Sequence, residues 1–436
     1  MKIANILLNY QKYISKIDLS DVVVSSKLNN KFIVKLIAII EDNINDTRKS
    51  YLIKYKLEHI IVLAFLAILC GGCDDFVEIE AFCKTKYPFL NKLLSLTNGV
   101  PSHDTFRRVF MIIDCDAFNK ITLIFLNKLL KRLRKVLKVD NNIKHIAVDG
   151  KVLRGSSRLN NTSKEIKHTQ NLNVYDASEG IVLSTTPIDK KTNEIPVAKQ
   201  VLSTLSLKNT VVSADALHTQ KATVAIITSK GGDYVLGVKT NQSNFHTAII
   251  DSFTQNKSKL KTKITDGTAH NNLEKRTFYI MNKKLVNDSQ TKKWNNLKNI
   301  IIYEKECINK VTSLKTIEAR YYISSLKDLD LIAEVIRAHW EIENNMIRFL
   351  DILFKEDSIS IVNSKSITNF SILNKMCLTL LKYAKPLVHN NKYSLKTLRK
   401  SFTWGMEEEL INILSYIDDY KLINLIKEEI EKEKRK

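Results

Sequence analysis

The hydrophobic pattern divides the chain into a helical first part and a mixed remainder. Up to about Val139, apolar residues recur three and four positions apart, as in AFNKITLIFLNKLLKRLRKVLKV, which predicts helices. Beyond this point short apolar runs alternate with helical patterns, which predicts strands and helices in turn. The expected fold class is therefore α/β, a mixed sheet flanked by helices and preceded by an all-helical N-terminal domain.

The predicted strands are short, and two of them end in an aspartate. KHIAVDG and TVVSAD are those two, TQNLNVYDA and GIVLSTTPID form a pair joined by a turn, and DYVLGVK is a further strand. PVAKQVLSTLSL and TQKATVAIITSKG are predicted helices. From 241 to 326 the pattern is polar and β-prone, which predicts a β-rich insertion. The expected domains are 1–140, 141–240, 241–326 and 327–436.

Composition indicates the compartment and the class of partner. The apolar run from Ile60 to Cys70 is far shorter than the ~20 residues that span a bilayer, so it predicts a buried core helix and no membrane partner. Cys70 and Cys73 lack further metal ligands at suitable spacing and are predicted to be buried, unreactive thiols. Few, scattered cysteines favour a reducing, cytoplasmic compartment. The excess of 68 Lys+Arg over 46 Asp+Glu, a net charge of +22, favours a polyanionic partner.

The strand-terminal acids are the first candidates for chemistry. Asp149 and Asp215 each follow a predicted strand, and acids at the ends of neighbouring strands face the crevice where ligands bind in α/β sheets. A single Asp in this position is commonly only a turn or cap residue. Two such acids together with an acid-bearing helix would repel one another, and such a cluster requires cations, for which oxygen ligands select Mg²⁺ or Mn²⁺.

Three blocks carry a family resemblance. IAVDGKVLRGS, SADALHTQKATVAIITSKGGDYVLGVKTNQ and RAHWEIENNMIRFLDILFKEDSI resemble, in this order, the signature blocks of bacterial insertion-sequence DDE transposases of the H-repeat-associated group. ILCGGCDDFVEIEAF and PSHDTFRRVF resemble the helical region that precedes them. The resemblance extends from about residue 50 to 420. It departs from the group at Ile347 and Arg348, where the group has His-Trp.

This resemblance implies a fold and an activity. The expected fold is an RNase H-like core in which Asp149, Asp215 and Glu343 bind two Mg²⁺ or Mn²⁺ ions and catalyse phosphoryl transfer. Water would first cleave the transposon end, and the freed 3′-OH would then attack target DNA. The implied partners are double-stranded terminal inverted repeats and target DNA. A homodimer on the DNA ends and a bacterial cytoplasm, with association to the nucleoid, are also expected.

Polar residues near these acids are candidates for DNA contacts. Solvated loop cations and packed helix residues are equally common, so the alternative for each is a purely structural role. The candidates are Lys151, Arg154, Lys239, Asn241, Gln242 and His339, with Arg107 in the helical region as a further candidate for end recognition.

Other functions remain to be weighed against transposition. A nucleotide-binding loop is excluded, because Gly150-x₄-Gly155 is followed by Ser156 and Ser157 instead of Lys-Ser/Thr. A metal-dependent nuclease that does not join strands and a non-catalytic DNA-binding remnant of a transposase stay open. In HWEIEN, Glu343 continues the apolar stripe of the helix and is preferred as the third acid to Glu341, which lies off that stripe.

Overall fold

In the described residues, the helical pattern of the first part of the sequence corresponds to seven α-helices. The computed structural model describes residues 5–19, 30–137, 143–157, 168–188, 193–269, 272–388, 393–404 and 407–435. Between residues 5 and 137 the described regular elements are all helical. They are α1 (Ile6–Ile14), α2 (Lys31–Asn43), α3 (Leu57–Leu66), α4 (Phe76–Thr85), α5 (Tyr87–Leu94), α6 (His103–Ile112) and α7 (Cys115–Leu137).

The apolar runs of the middle region form one mixed sheet. Its strands are β1 (Lys144–Leu153), β2 (Thr169–Asp176), β3 (Ile181–Ile188), β4 (Thr210–Ala214), β5 (Asp233–Val238), β6 (Lys261–Ala269), β7 (Asn272–Asn282), β8 (Asn299–Asn309) and β9 (Lys315–Ser324). The order across the described sheet is β3-β2-β1-β4-β5-β9-β8-β7-β6. β1, β4 and β5 run parallel, and every other neighbouring pair is antiparallel. The strands predicted before residue 240 are thus all confirmed.

The first of these strands is longer than the sequence predicts. β1 does not end at Asp149 but continues to Leu153, because β2 goes on pairing with it as far as Leu153 opposite Thr169. Its parallel neighbour β4 is shorter, and the last pair between them is Val148 with Ala214. Asp149 is therefore not the end of its strand, although it lies just beyond the end of the parallel pairing.

The β-prone segment continues the same sheet. β6 to β9 form an antiparallel meander whose last strand pairs with β5, with Val238 opposite Tyr321. The segment begins with a helix that the sequence analysis did not predict, α10 (Ser243–Asn256). Its buried residues Phe245, Ile249 and Phe253 are four positions apart, which is a helical spacing. The domain boundaries themselves stay predictions.

Helices cover both faces of the parallel strands. α8 (Glu194–Thr204), α9 (Lys221–Ser229) and α10 pack on the face that carries Ile146, Val148 and Val212. The opposite face, with Val211 and Val235, packs against α12 (Leu329–Glu341). α11 (Asp288–Thr291) is a single short turn between β7 and β8. The two faces are thus buried by elements from different parts of the sequence.

The helix α12 does not continue regularly. Residues Ile342–Ile347 form a segment of wider helical turns, and α13 (Arg348–Phe354) follows. Wide turns of this kind interrupt the regular helical hydrogen bonding and are frequent at functional sites. The remaining helices are α14 (Ser364–Ala384), α15 (Leu395–Thr403), α16 (Glu407–Tyr416) and α17 (Tyr420–Arg435).

The N-terminal and C-terminal helices share one hydrophobic core. α3 lies in its middle, and every residue from Ile60 to Cys70 is at most 2% exposed, as predicted for a core helix. Among the described residues no single helix is long and apolar enough to cross a membrane; Leu57–Gly71 and Phe76–Thr85 meet the criterion only when joined, and they meet at 86°. Cys70 and Cys73 are buried and unpaired, and burial raises the pKa of Cys73 to about 12. Their predicted burial is confirmed.

The last residue of β2, just before the turn to β3, is a buried acid that makes stability depend on pH. Asp176 accepts hydrogen bonds from the N–H groups of Ser178 (2.9 Å) and Glu179 (3.2 Å). Burial, and then repulsion from the Glu179 carboxylate, raise the pKa of Asp176 from 3.8 to about 7. Between pH 3.8 and about 7 the folded chain therefore binds more protons than the unfolded chain. This contribution to stability is present below pH 3.8 and is lost as pH rises through 7.

Asp176→Asn is expected to stabilise the protein at pH 8 by roughly 1–3 kcal/mol, because it keeps the acceptor oxygen and removes the buried charge. The gain should shrink as pH falls from 7 towards 4, when the wild-type carboxyl takes up its proton. Urea denaturation at several pH values measures it. Asp419→Asn, in an exposed turn where the carboxylate accepts the N–H of Lys421, is the control for loss of charge. A gain of equal size at every pH would contradict the prediction.

Candidate active site

Two aspartates lie side by side at the edge of the parallel strands. β1 and β4 pair with Ala147 opposite Ser213 and Val148 opposite Ala214, so the next residues are Asp149 and Asp215. Because side chains alternate along a strand, both carboxylates project from the face that α12 covers. The sequence predicted that the two aspartates lie close together, because each follows an apolar run. The pairing register of β1 with β4 explains this proximity.

Asp149 is the more buried of the two acids. Its Oδ1 accepts a hydrogen bond of 2.9 Å from the Gly150 N–H. Burial raises the pKa of Asp149 to about 6, opposed by His339 and reinforced by the negative charges of Asp215 and Glu343. Asp215 and Glu343 are therefore both close enough to Asp149 to influence its ionisation.

Asp215 is 58% exposed and lies between an imidazole and an ammonium group. His339 Nε2 lies 3.7 Å from Oδ1, and Lys239 Nζ lies 3.7 Å from Oδ2. Both distances are too long for hydrogen bonds and correspond to electrostatic contacts. The imidazole of His339, followed by the ammonium of Lys239, lowers the pKa of Asp215 to about 2.

A buried hydroxyl holds the histidine beside Asp215. Ser213 Oγ lies 2.9 Å from His339 Nδ1 and 2.7 Å from His145 Nε2. A hydroxyl donates one hydrogen bond and accepts others, so it can bridge the two imidazoles. His145 is fully buried, and burial lowers its pKa to about 3, which makes it a neutral partner. The bridge joins β1, β4 and α12.

Glu343 lies in the wide-turn segment that follows α12. Its side chain is exposed, whereas Met346 and Leu350 of the predicted packing stripe are buried. The side chain of Glu341 lies outside the described part of the structure, so the choice between the two glutamates stays a prediction. In the described residues no group of three His, Cys, Asp or Glu side chains is close enough to hold a metal ion.

The opposite face of β1 carries a second polar cluster, directly behind Asp149. A Cβ on Gly150 would lie 2.2 Å from Glu194 Oε1, so only glycine allows the carboxylate to approach the strand there. Glu194 Oε1 accepts a hydrogen bond from Gln170, and its Oε2 lies 3.0 Å from His218 Nε2. His218 follows Asp215 in the same turn. The cluster ties the start of α8 to β2, the neighbour of β1, and to the turn that follows Asp215.

The residues predicted to contact DNA have different surroundings. Arg154 and Lys239 are 78% and 67% exposed, whereas Lys151 is 5% exposed and paired with acids. Asn241 and Gln242 donate hydrogen bonds to the carbonyls of residues 216 and 219 and so brace the turn after Asp215. Arg107, on α6, is exposed and pairs with Asp104 at 3.0 Å.

Sequence reasoning overlooked several residues of the site. His145 and Ser213 are recoverable from the alternation of strand side chains, since each lies an even number of positions before an aspartate. His218 lies within a quoted block, yet nothing in the sequence pairs it with Glu194. That pairing depends on how α8 packs on the sheet.

The donor atoms at this edge suit a hard divalent cation. Carboxylate oxygens are the ligands that Mg²⁺ and Mn²⁺ prefer. Burial, and after it the negative charges of Asp215 and Glu343, raise the pKa of Asp149, and a cation bound beside these acids would favour its ionised form. Asp149 and Asp215 supply such oxygens side by side at this edge, and a metal site that also includes Glu343 stays a prediction.

Ser213→Ala should destabilise the protein by about 1–3 kcal/mol, because it leaves buried ring nitrogens of His145 and His339 without their shared partner. Chemical denaturation measures this change. Ser203→Ala is the matched control, since Ser203 is exposed and bonds only to the Gln200 carbonyl of its own helix. Equal effects of the two substitutions would show that the hydroxyl bridge contributes nothing to stability.

Comparison with known proteins identifies two family models along the chain. Residues 140–380 match the model described as "Transposase DDE domain". Residues 42–126 match the one described as "DDE_Tnp_1-associated". The first match includes both aspartates, the wide-turn segment with Glu343 and the whole sheet, and it covers more than half of the chain.

Similar proteins support the same relationship. "Putative transposase YncI" of Escherichia coli O157:H7 is 31% identical over 79% of this chain and 86% of its own length. "H repeat-associated putative transposase YhhI" of Escherichia coli K12 is 27% identical over 78% of this chain and 88% of its own length. A piggyBac transposase synaptic complex with hairpin DNA aligns over 98% of this chain and 85% of its own, at 12% identity and a TM-score of 0.33, which is too low to support an argument about fold. On the family models and these relatives, the chain belongs to the DDE transposase family and is similar to its H-repeat-associated members.

Proposed function

We propose that this protein is a DNA transposase that cleaves transposon ends and transfers the freed 3′-OH into target DNA. The observation that carries the proposal is the parallel register that sets Asp149 beside Asp215 in a chain of the DDE transposase family. In the first step a water oxygen bonds to the phosphorus at the transposon end, and the bond to the 3′ oxygen breaks. In the second step the oxygen of that 3′-OH bonds to a phosphorus of the target DNA, and the bond from this phosphorus to the target's own 3′ oxygen breaks, which leaves a free 3′-OH on the target strand.

Mg²⁺ or Mn²⁺, as two ions, would be held by Asp149, Asp215 and Glu343 and would stabilise the charge on the attacking and leaving oxygens. The chain contributes the placement of these carboxylates. His339 and Lys239 keep Asp215 ionised, because both lower its pKa. Gly150 donates an N–H to Asp149, and Glu194 with His218 braces the same strand and turn from behind.

The proposed partner is double-stranded DNA, both terminal inverted repeats and target. The net charge of +22 favours a polyanion, and Lys239 and Arg154 present exposed cations near the acids. The strand order β3-β2-β1-β4-β5 with an antiparallel β2 supports an RNase H-like core. The N-terminal helices would recognise the DNA ends, with Arg107 among the contacts. The protein would act as a homodimer on these ends, and its location would be the cytoplasm.

A supercoiled plasmid with the cognate inverted repeats tests the reaction. Wild-type protein with Mg²⁺ should give both end cleavage and strand-joined products, and EDTA should abolish both. Nicks without joined products would assign the protein to the nucleases. DNA binding without either product would indicate a non-catalytic remnant.

Asp149→Asn and Asp215→Asn should each abolish cleavage and leave the affinity for duplex DNA nearly unchanged, because the carboxylates would bind metal while exposed cations bind phosphate. Gel-shift titration and the plasmid assay measure the two properties separately. Asp251→Asn, at an exposed position on α10, serves as the control. Parallel loss of binding and cleavage would point to misfolding or to a different site.

Glu343→Gln should eliminate cleavage and weaken Mg²⁺ binding, whereas Glu341→Gln should leave both close to wild type. The reason is that Glu343 influences Asp149 electrostatically, as a third ligand must. Glu341 thus serves as the matched control two residues away. If Glu341→Gln proved to be the inactive variant, the third acid would be assigned wrongly.

A further inference from the structure

Lys151 is a buried cation two residues after Asp149 on the same face of β1. Its side chain is only 5% exposed. The ammonium lies 2.5 Å from Asp351 Oδ1, 3.1 Å from Glu356 Oε2 and 3.8 Å from Asp357 Oδ1. Three carboxylates therefore surround the lysine.

All three carboxylates belong to the chain segment that directly follows Glu343. Asp351 is on α13, and the other two are in the turn Glu356–Ser358. Glu356 is fully buried, and its second oxygen accepts a hydrogen bond of 2.5 Å from Ser371 on α14. Removing one member of a buried ion network leaves a charge without compensation, so such contacts fix the elements that they join.

A backbone contact joins the same two segments without any charge. The turn Arg154–Ser156 follows β1, and it approaches the chain just after Glu356–Ser358 so closely that a Cβ on Gly155 would lie 2.5 Å from the carbonyl oxygen of Ile359. Only glycine permits this separation. The strand with Asp149 and the segment after Glu343 are thus locked together by two independent contacts.

A phosphate contact for Lys151 would require breaking these ion pairs. Its ammonium is enclosed, in contrast to the exposed guanidinium of Arg154 three residues later. We propose that Lys151 is a positioning residue, which holds the segment after Glu343 against β1 and thereby sets the distance of Glu343 from Asp149. This assignment rests on the proposed function, because it concerns the acids that would bind the metal.

The sign of the effect on cation binding tests the assignment. Removing a positive charge close to the acids would, by Coulomb attraction alone, tighten the binding of a cation. Loss of positioning should weaken it instead. Lys151→Met should therefore bind Mn²⁺ about tenfold or more weakly, as measured by titration calorimetry on the full chain without DNA. Unchanged or tighter Mn²⁺ binding would overturn the proposal.

Two further variants separate positioning from loss of charge or of stability. Gly155→Ala removes no charge and should also weaken Mn²⁺ binding, since it forces the same two segments apart; wild-type binding would count against the proposal. It also keeps the test available if Lys151→Met does not fold. Lys86→Met breaks a half-buried pair of 2.6 Å with Glu407 that involves none of these residues, and it should leave Mn²⁺ binding unchanged.

DNA binding distinguishes the alternative role for Lys151. Lys151→Met should keep the wild-type dependence of DNA affinity on salt, whereas a lost phosphate contact would reduce the log–log slope by about 0.9 and overturn the proposal. Failure of the proposed function has a different signature. In that case Asp149→Asn would bind Mn²⁺ like wild type, and neither protein would cleave DNA.

Discussion

Two carboxylates that repel one another are held at adjacent positions by the backbone hydrogen bonds of β1 and β4. Parallel pairing fixes Val148 opposite Ala214, and the following residues are the two acids. Since a one-residue slip would move one carboxylate to the other face, this register determines whether the site exists at all. The polar contacts around it, from Ser213 and His339 on one face to Glu194 on the other, maintain that edge.

The sequence predicted the local elements well and their long-range pairing poorly. Strands and helices before residue 240 follow from periods of two and about four in the apolar positions. The length of β1 does not, because it is decided by its pairing with β2 beyond Asp149. The pairing of β9 with β5 could not be predicted from the sequence either, since it brings together segments that are distant in the chain. The apolar residues of α10 have a helical spacing, but the polar, β-prone composition of the surrounding segment led to the prediction of strands there.

The same distinction applies to the candidate site. The proximity of Asp149 and Asp215 was predictable because each follows an apolar run, whereas the choice of Glu343 as the third acid stays a prediction. The wide turns around Glu343 depend on a shift of hydrogen bonding inside the helix, which side-chain periodicity does not record. The environment of Lys151 was unpredictable for another reason: its partners Asp351 and Glu356 are some two hundred residues away in the chain.

The two adjacent aspartates are chemically unequal, although they have the same side chain. Asp215 is exposed beside Lys239 and His339, which hold its pKa near 2. Asp149 is more buried, and this burial, with a smaller contribution from the charges of Asp215 and Glu343, raises its pKa to about 6. Ionising Asp149 is therefore the step that costs free energy, and Lys151 does not relieve it, because that cation is committed to Asp351 and Glu356. A cation bound from outside the chain would offset this cost, and carboxylate oxygens are the ligands that hard divalent ions prefer, which is in keeping with the metal ions proposed for this edge.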